Sequence, residues 1–191
     1  MAALVLPTED RLFTYADYKR WELAEGERYE LIDGVAYAMA APNAIHQAIV
    51  AVLTAKLYNF FEDKPGKVYP APYDVRLFYE EDESDDTVVQ PDISVVCDEK
   101  KRGAEGCRGA PDLAVEIVSP TNTFVEMARK FERYRQAGVR EYWVVNPEPQ
   151  TLFVYRFDGG EIITRSYRPP GNVRSETFPH LEIPLEPVFA G

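Results

Sequence analysis

Apolar positions along this chain follow two periods, one near 3.6 and one of two, and the alternation between them predicts the order of elements. After Pro42-Asn43, Ile45, Ile49, Val52, Leu53, Leu57 and Phe60 fall at helical spacing, which predicts a long helix to about Phe61, ended by Pro65-Gly66. A second helix is expected over about 123–137. There Thr123 and Glu126 form a capping box, Phe124, Met127, Phe131 and Tyr134 make one apolar stripe assigned to the core, and Gly138 stops the helix. A shorter helix is expected from Thr14 to Ala24, with Thr14 and Asp17 marking its start. The segment RYELIDGVAYAM alternates on either side of Asp33-Gly34, which predicts a hairpin at 29–40. Further strands are expected at 67–79, 88–97, 112–118, 141–146, 151–157 and 161–168, with 88–97 and 112–118 as antiparallel neighbours. This order describes an α+β (mixed α/β) fold, a central mixed β-sheet flanked by helices. One domain, 1–191, is expected, with a core over about 12–168 and a Pro-rich tail, 169–191, wrapped on the body.

Composition narrows the picture. A chain of 191 residues is long enough to bury a core without disulfides or a structural metal. Cys97 and Cys107 have neither disulfide-framework nor zinc spacing and read as structural free thiols, which suits a reducing, cytoplasmic location. No segment approaches about 18 uninterrupted apolar residues, so no membrane partner is expected. The formal charge, 21 basic minus 32 acidic residues, is −11, which argues against a surface that grips nucleic acid everywhere but leaves room for a local basic groove. Part of the excess, EEDESDD at 80–86, reads as a solvated loop.

One carboxylate stands out against this background. In PDLAVEIVSP, residues 111–120, Leu113, Val115 and Ile117 point one way and Ala114, Glu116 and Val118 the other, so Glu116 interrupts a strand that is otherwise apolar on both faces. An ionised carboxylate there costs several kcal/mol unless a cation or hydrogen-bond donors compensate it. Asp92 enters the neighbouring strand directly after Pro91, and an antiparallel pairing brings the two acids together, where they could hold a hard cation such as Mg²⁺. Lys130, on the capped helix at the edge of its apolar stripe, is placed to extend toward the strand ends and stabilise negative charge developing on a phosphate. Glu30, in the first hairpin strand, is a further acid beside apolar neighbours. Arg129, Arg133, Arg135 and Arg140 either track a phosphate backbone or are plain surface charge.

YELIDG at 29–34, His46, QPDISVV at 90–96, PDLAVEIVSP at 111–120, Lys130 with Tyr134, and AGVREYWVVNP at 137–147, in this order, resemble the Uma2 family of the PD-(D/E)XK nuclease superfamily. The resemblance spans about residues 12–160. It implies a restriction-endonuclease-like core and a Mg²⁺-dependent nuclease site, Mn²⁺ being an alternative metal, with Asp92 and Glu116 as metal ligands, Lys130 as catalytic lysine and Glu30 as fourth member. The superfamily pattern sets its lysine two residues after the glutamate, where this chain has Val118, so the helix must supply Lys130 instead. Relatives often have aspartate where this chain has Glu126 and Asn146. The resemblance implies DNA as substrate, and the strands at 151–168 suggest a homodimer. The competing reading is a catalytically inactive nucleic-acid-binding or assembly module of the same fold.

Overall fold

A computed structural model describes residues 11–119 and 123–190. In chain order the elements are α1 (Tyr15–Tyr18), β1 (Tyr29–Ile32), β2 (Val35–Ala38), α2 (Ala44–Phe61), β3 (Lys67–Pro70), β4 (Val75–Arg76), β5 (Val88–Val89), β6 (Ile93–Val96), β7 (Arg102–Gly103), β8 (Gly106–Arg108) and β9 (Leu113–Ile117). They continue as α3 (Phe124–Ala137), β10 (Glu141–Asn146), β11 (Thr151–Asp158), β12 (Glu161–Tyr167), β13 (Asn172–Arg174), β14 (Glu182–Pro184) and α4 (Glu186–Phe189). The architecture is mixed α+β, as the patterning predicts, but the strands divide between sheets. One sheet has the order β2-β1-β5-β4-β8-β7, the other β12-β11-β10-β9-β6-β3, and β13-β14 form a small hairpin.

The second sheet is buried on both faces. Ile93, Val95, Leu113, Val115, Ile117, Trp143 and Val145 pack with Ile49, Leu53 and Leu57 of α2 and with Ile183, Leu185 and Val188 of the tail. Ala114, Val96 and Tyr142 face the other way, against Tyr134 and Phe131 of α3 and residues of the first sheet. This two-sided burial explains why β9 and β10 read as nearly continuous apolar runs, and they pair in parallel, joined by α3 as the crossover. By length and composition α2 could cross a membrane, but here it is a core helix with one face on the sheet.

Several elements differ from expectation. The first helix is a single turn, capped at Lys19 rather than reaching Ala24. The strand expected at 88–97 is broken at Gln90-Pro91-Asp92, β5 belonging to the first sheet and β6 to the second, since Pro91 cannot donate to a ladder. Phe124 is not core: it is 87% exposed, at the first turn of α3, where the helix has left the sheet. The acidic run is not wholly solvated either. Asp85 is buried and paired with Arg76, whose guanidinium also lies over the Tyr15 and Tyr79 rings, and the Asp85 carbonyl accepts from Tyr15 N. Of the residues after 168, Val173, Phe178, Leu181 and Ile183 lie in the core beside α2. Their anchor is the fully buried Glu141, which accepts from Trp143 Nε1 at 2.6 Å and from the backbone of Thr177 at 2.6 Å.

Candidate active site

Three structural devices bring distant acids into one cleft. The first is the antiparallel pairing of β6 with β9, in which Ile93 faces Val115 and Ser94 faces Ala114. Extending that register by one residue sets Asp92 opposite Glu116, and Ile117 N donates to Asp92 Oδ2 at 2.7 Å. The second is the β1–β2 hairpin, whose tight turn has Asp33 at φ 55 and Gly34 at φ 74, the left-handed pair that such a turn requires. It presents Glu30, whose Oε1 accepts from Gln90 N at 2.8 Å, so the crossover between the sheets holds the hairpin acid in place. The third is α3. Capped by Thr123 and Glu126, it lies over the face of β9 that carries Ala114 and Glu116, and sets Lys130 and Tyr134 one turn apart on its inner side.

Lys130 is buried rather than extended along the surface. Its Nζ lies 2.8 Å from Glu30 Oε1 and 2.5 Å from Glu116 Oε1, and Tyr134 OH donates to the same Glu116 oxygen at 2.6 Å. Glu126, one turn earlier on α3, accepts from Thr123 N at 2.7 Å and so caps the helix. Burial opposes a charged ammonium, but the Glu116 and Glu30 carboxylates outweigh it and raise the Lys130 pKa above its ordinary value. Burial pushes the Glu116 carboxyl up to about 7, against the opposing pull of Lys130 and aided by the charges of Glu30 and Asp92. Tyr134 is raised well above its usual range, by burial and then by Glu116.

The cleft has a volume of about 160 Å³ and is lined by Glu30, Asp92, Glu116 and Lys130 together with His46, Arg28 and Arg129. The three acids and the lysine expected from the sequence, Glu30, Asp92, Glu116 and Lys130, therefore reach one cavity. His46, at the start of α2, has Nε2 3.2 Å from Asp92 Oδ2, and its buried Nδ1 has no partner among the described residues. Of the four arginines, only Arg129 lines the cleft, held by Tyr37. Arg133 pairs with Asp33, Arg135 with Glu132 and Arg140 with Asp112. Gln90 and Tyr134 carry roles that the sequence did not assign to them. Gln90 also donates to Asp74 at 2.8 Å, and burial raises the Asp74 pKa. The signals were present, Gln90 two residues before Asp92 and Tyr134 one turn after Lys130, but neither reveals its partner.

The donor set suits a hard divalent ion in part. Asp92 Oδ1 and Glu116 Oε2 make no hydrogen bond among the described residues, and two carboxylates completed by water and phosphate oxygens is a Mg²⁺ arrangement. No three His, Cys, Asp or Glu side chains among the described residues form a ready metal cage.

The chain has relatives in sequence and in fold. The chain is 23% identical over 154 residues to an uncharacterized protein of Synechocystis, covering 80% of this chain and 78% of that one. Its fold matches the crystal structure of "a putative nuclease belonging to DUF820" from Anabaena variabilis with a TM-score of 0.73 and 21% identity, over 93% of this chain and 98% of that one. Residues 15–186 match the family described as "Putative restriction endonuclease", and the protein belongs to that family, Uma2.

Proposed function

We propose that this protein is a Mg²⁺-dependent endonuclease, with Mn²⁺ as an alternative metal, that hydrolyses phosphodiester bonds in DNA. The observation that carries the reading is the Lys130 ammonium fixed between Glu30 and Glu116 at the wall of a cleft where two carboxylate oxygens remain open. In this reading Asp92 and Glu116 hold the metal. When bound, the metal supplies charge neutralisation at the phosphate and an acidified water. Lys130, kept protonated by its two acids, cannot serve as a base; it offsets the charge that develops on the phosphate. Glu30 aims the lysine from the hairpin, and Tyr134 holds the Glu116 carboxylate so that its second oxygen faces the cleft.

The alternative, a non-catalytic nucleic-acid-binding or assembly module, draws on the charge of −11 and on the arginines already paired within the protein. Cleavage of single- and double-stranded DNA with Mg²⁺ or Mn²⁺ separates the two. Wild type should cut, and Asp92→Ala and Lys130→Ala should each lower the rate at least about 100-fold. Activity surviving both substitutions removes the site assignment, and no activity under any metal condition favours the binding module.

A further inference from the structure

A second cavity opens beside the cleft, and the nuclease reading does not use it. It has a volume of about 630 Å³, in the range of pockets that enclose a small organic group, and lies between the start of α2, the β10–β11 turn and α4. It shares His46 and Ser119 with the cleft, so the two cavities adjoin. We propose that it receives an unpaired nucleobase of the substrate, which makes single-stranded DNA, rather than continuous duplex, what the cleft acts on. This proposal rests on the nuclease reading.

The lining decides the class of ligand. Ile49 and Val188, each 1% exposed, and the half-exposed Ile45 and Phe189 give an apolar wall, the kind of surface on which a base can stack. Asn146, at the end of β10, and Gln150, in the turn, line the same cavity, and their side-chain amides make no hydrogen bond among the described residues. Each amide offers a donor and an acceptor, which is what the edge of a base presents. Among the described residues no lysine or arginine lines the cavity and Glu148 is its one carboxylate, so a phosphate is disfavoured and a neutral, flat, polar-edged group is favoured. A protein of charge −11 gains little from the backbone through counterion release, so stacking and edge contacts must supply much of its affinity. A base paired in a duplex enters such a pocket only after costly unstacking, whereas an unpaired base enters directly.

The test uses Glu116→Gln, which should bind without cutting, and a single-stranded oligonucleotide with 2-aminopurine moved one position at a time. One position should respond by fluorescence. An abasic site at that position should weaken binding by about tenfold to a hundredfold, and Ile45→Trp, which fills the cavity from a half-exposed position, should do the same. Asn146→Ala, at a partly exposed site, should reduce affinity less and leave folding intact. An abasic site and Ile45→Trp that both leave Kd unchanged, or duplex bound as tightly as single strand, overturn the proposal. The two readings fail separately. Position-dependent binding by a protein that never cuts refutes the nuclease and keeps the pocket; cutting of duplex and abasic strands at equal rates refutes the pocket and keeps the nuclease.

Discussion

At the scale of single residues the site is a buried charge network, and its members stabilise one another only together. Lys130 has two acids and each acid has further donors, Gln90 N for Glu30 and Tyr134 for Glu116. Removing the lysine alone leaves Glu30 and Glu116 without their cation. Lys130→Met should therefore destabilise the protein by about 3–5 kcal/mol in denaturant unfolding at neutral pH, and the further change Glu30→Gln should return part of that loss. Glu116 makes a pH prediction with a definite sign. Its carboxyl titrates near 7 in the folded chain against 4.5 in the unfolded one, so the folded state holds a proton that the unfolded state has released. That preference is fully present below about pH 4.5 and is lost as pH rises through about 7. Without metal, wild type measured against Glu116→Gln should lose up to about 3 kcal/mol of relative stability between pH 4.5 and 7.5, with no further change above. A flat difference between the two proteins would show that Glu116 is already ionised.

At the scale of elements, the turn of the first hairpin sets the position of Glu30. Gly34 has φ 74, and a Cβ there would stand 2.8 Å from Leu12 Cβ, so Gly34→Ala meets both backbone strain and a clash. The substitution should cost about 1–2 kcal/mol and slow cleavage more than stability alone explains, because the hairpin carries Glu30 toward Lys130. Comparing kcat at a temperature where both proteins are fully folded separates these effects. The hairpin and the capped α3 were legible from short-range signals: Asp33-Gly34 between alternating strands, and Thr123 with Glu126 before an amphipathic run. The break at Gln90-Pro91-Asp92 was less so. Pro91 marks where a strand begins, but which sheet each half joins depends on partners remote in sequence. Phe124 followed the same helical period as Tyr134, yet only the path of α3 over the sheet separates a 0% exposed ring from one 87% exposed.

At the scale of the whole molecule, β12 is the outer strand of its sheet and most of its residues are exposed, Ile162 among them at 45%. Such an edge invites a second copy, and we propose a homodimer formed through it. Sedimentation at micromolar concentration should give twice the chain mass of 21.8 kDa, and Ile162→Lys should return the monomer. A wild-type monomer at every concentration removes this proposal.

Taken by itself, the sequence determined the periods of the main elements, the antiparallel neighbours around Glu116, and the need of that buried acid for compensation, because these depend on residues within a strand or a helical turn of one another. It also pointed to Lys130 as the candidate lysine, since Val118 stands where the superfamily pattern has one and α3 offers one 14 residues after Glu116. Only the tertiary structure decided that Glu30, 100 residues from Lys130, shares its ammonium, that Gln90 and Tyr134 aim the acids, and that three of four arginines are spent on internal partners. Those outcomes follow from how the sheets and α3 pack. The free energy of a buried charge is set by what lies within a few ångströms in space, whatever the distance along the chain.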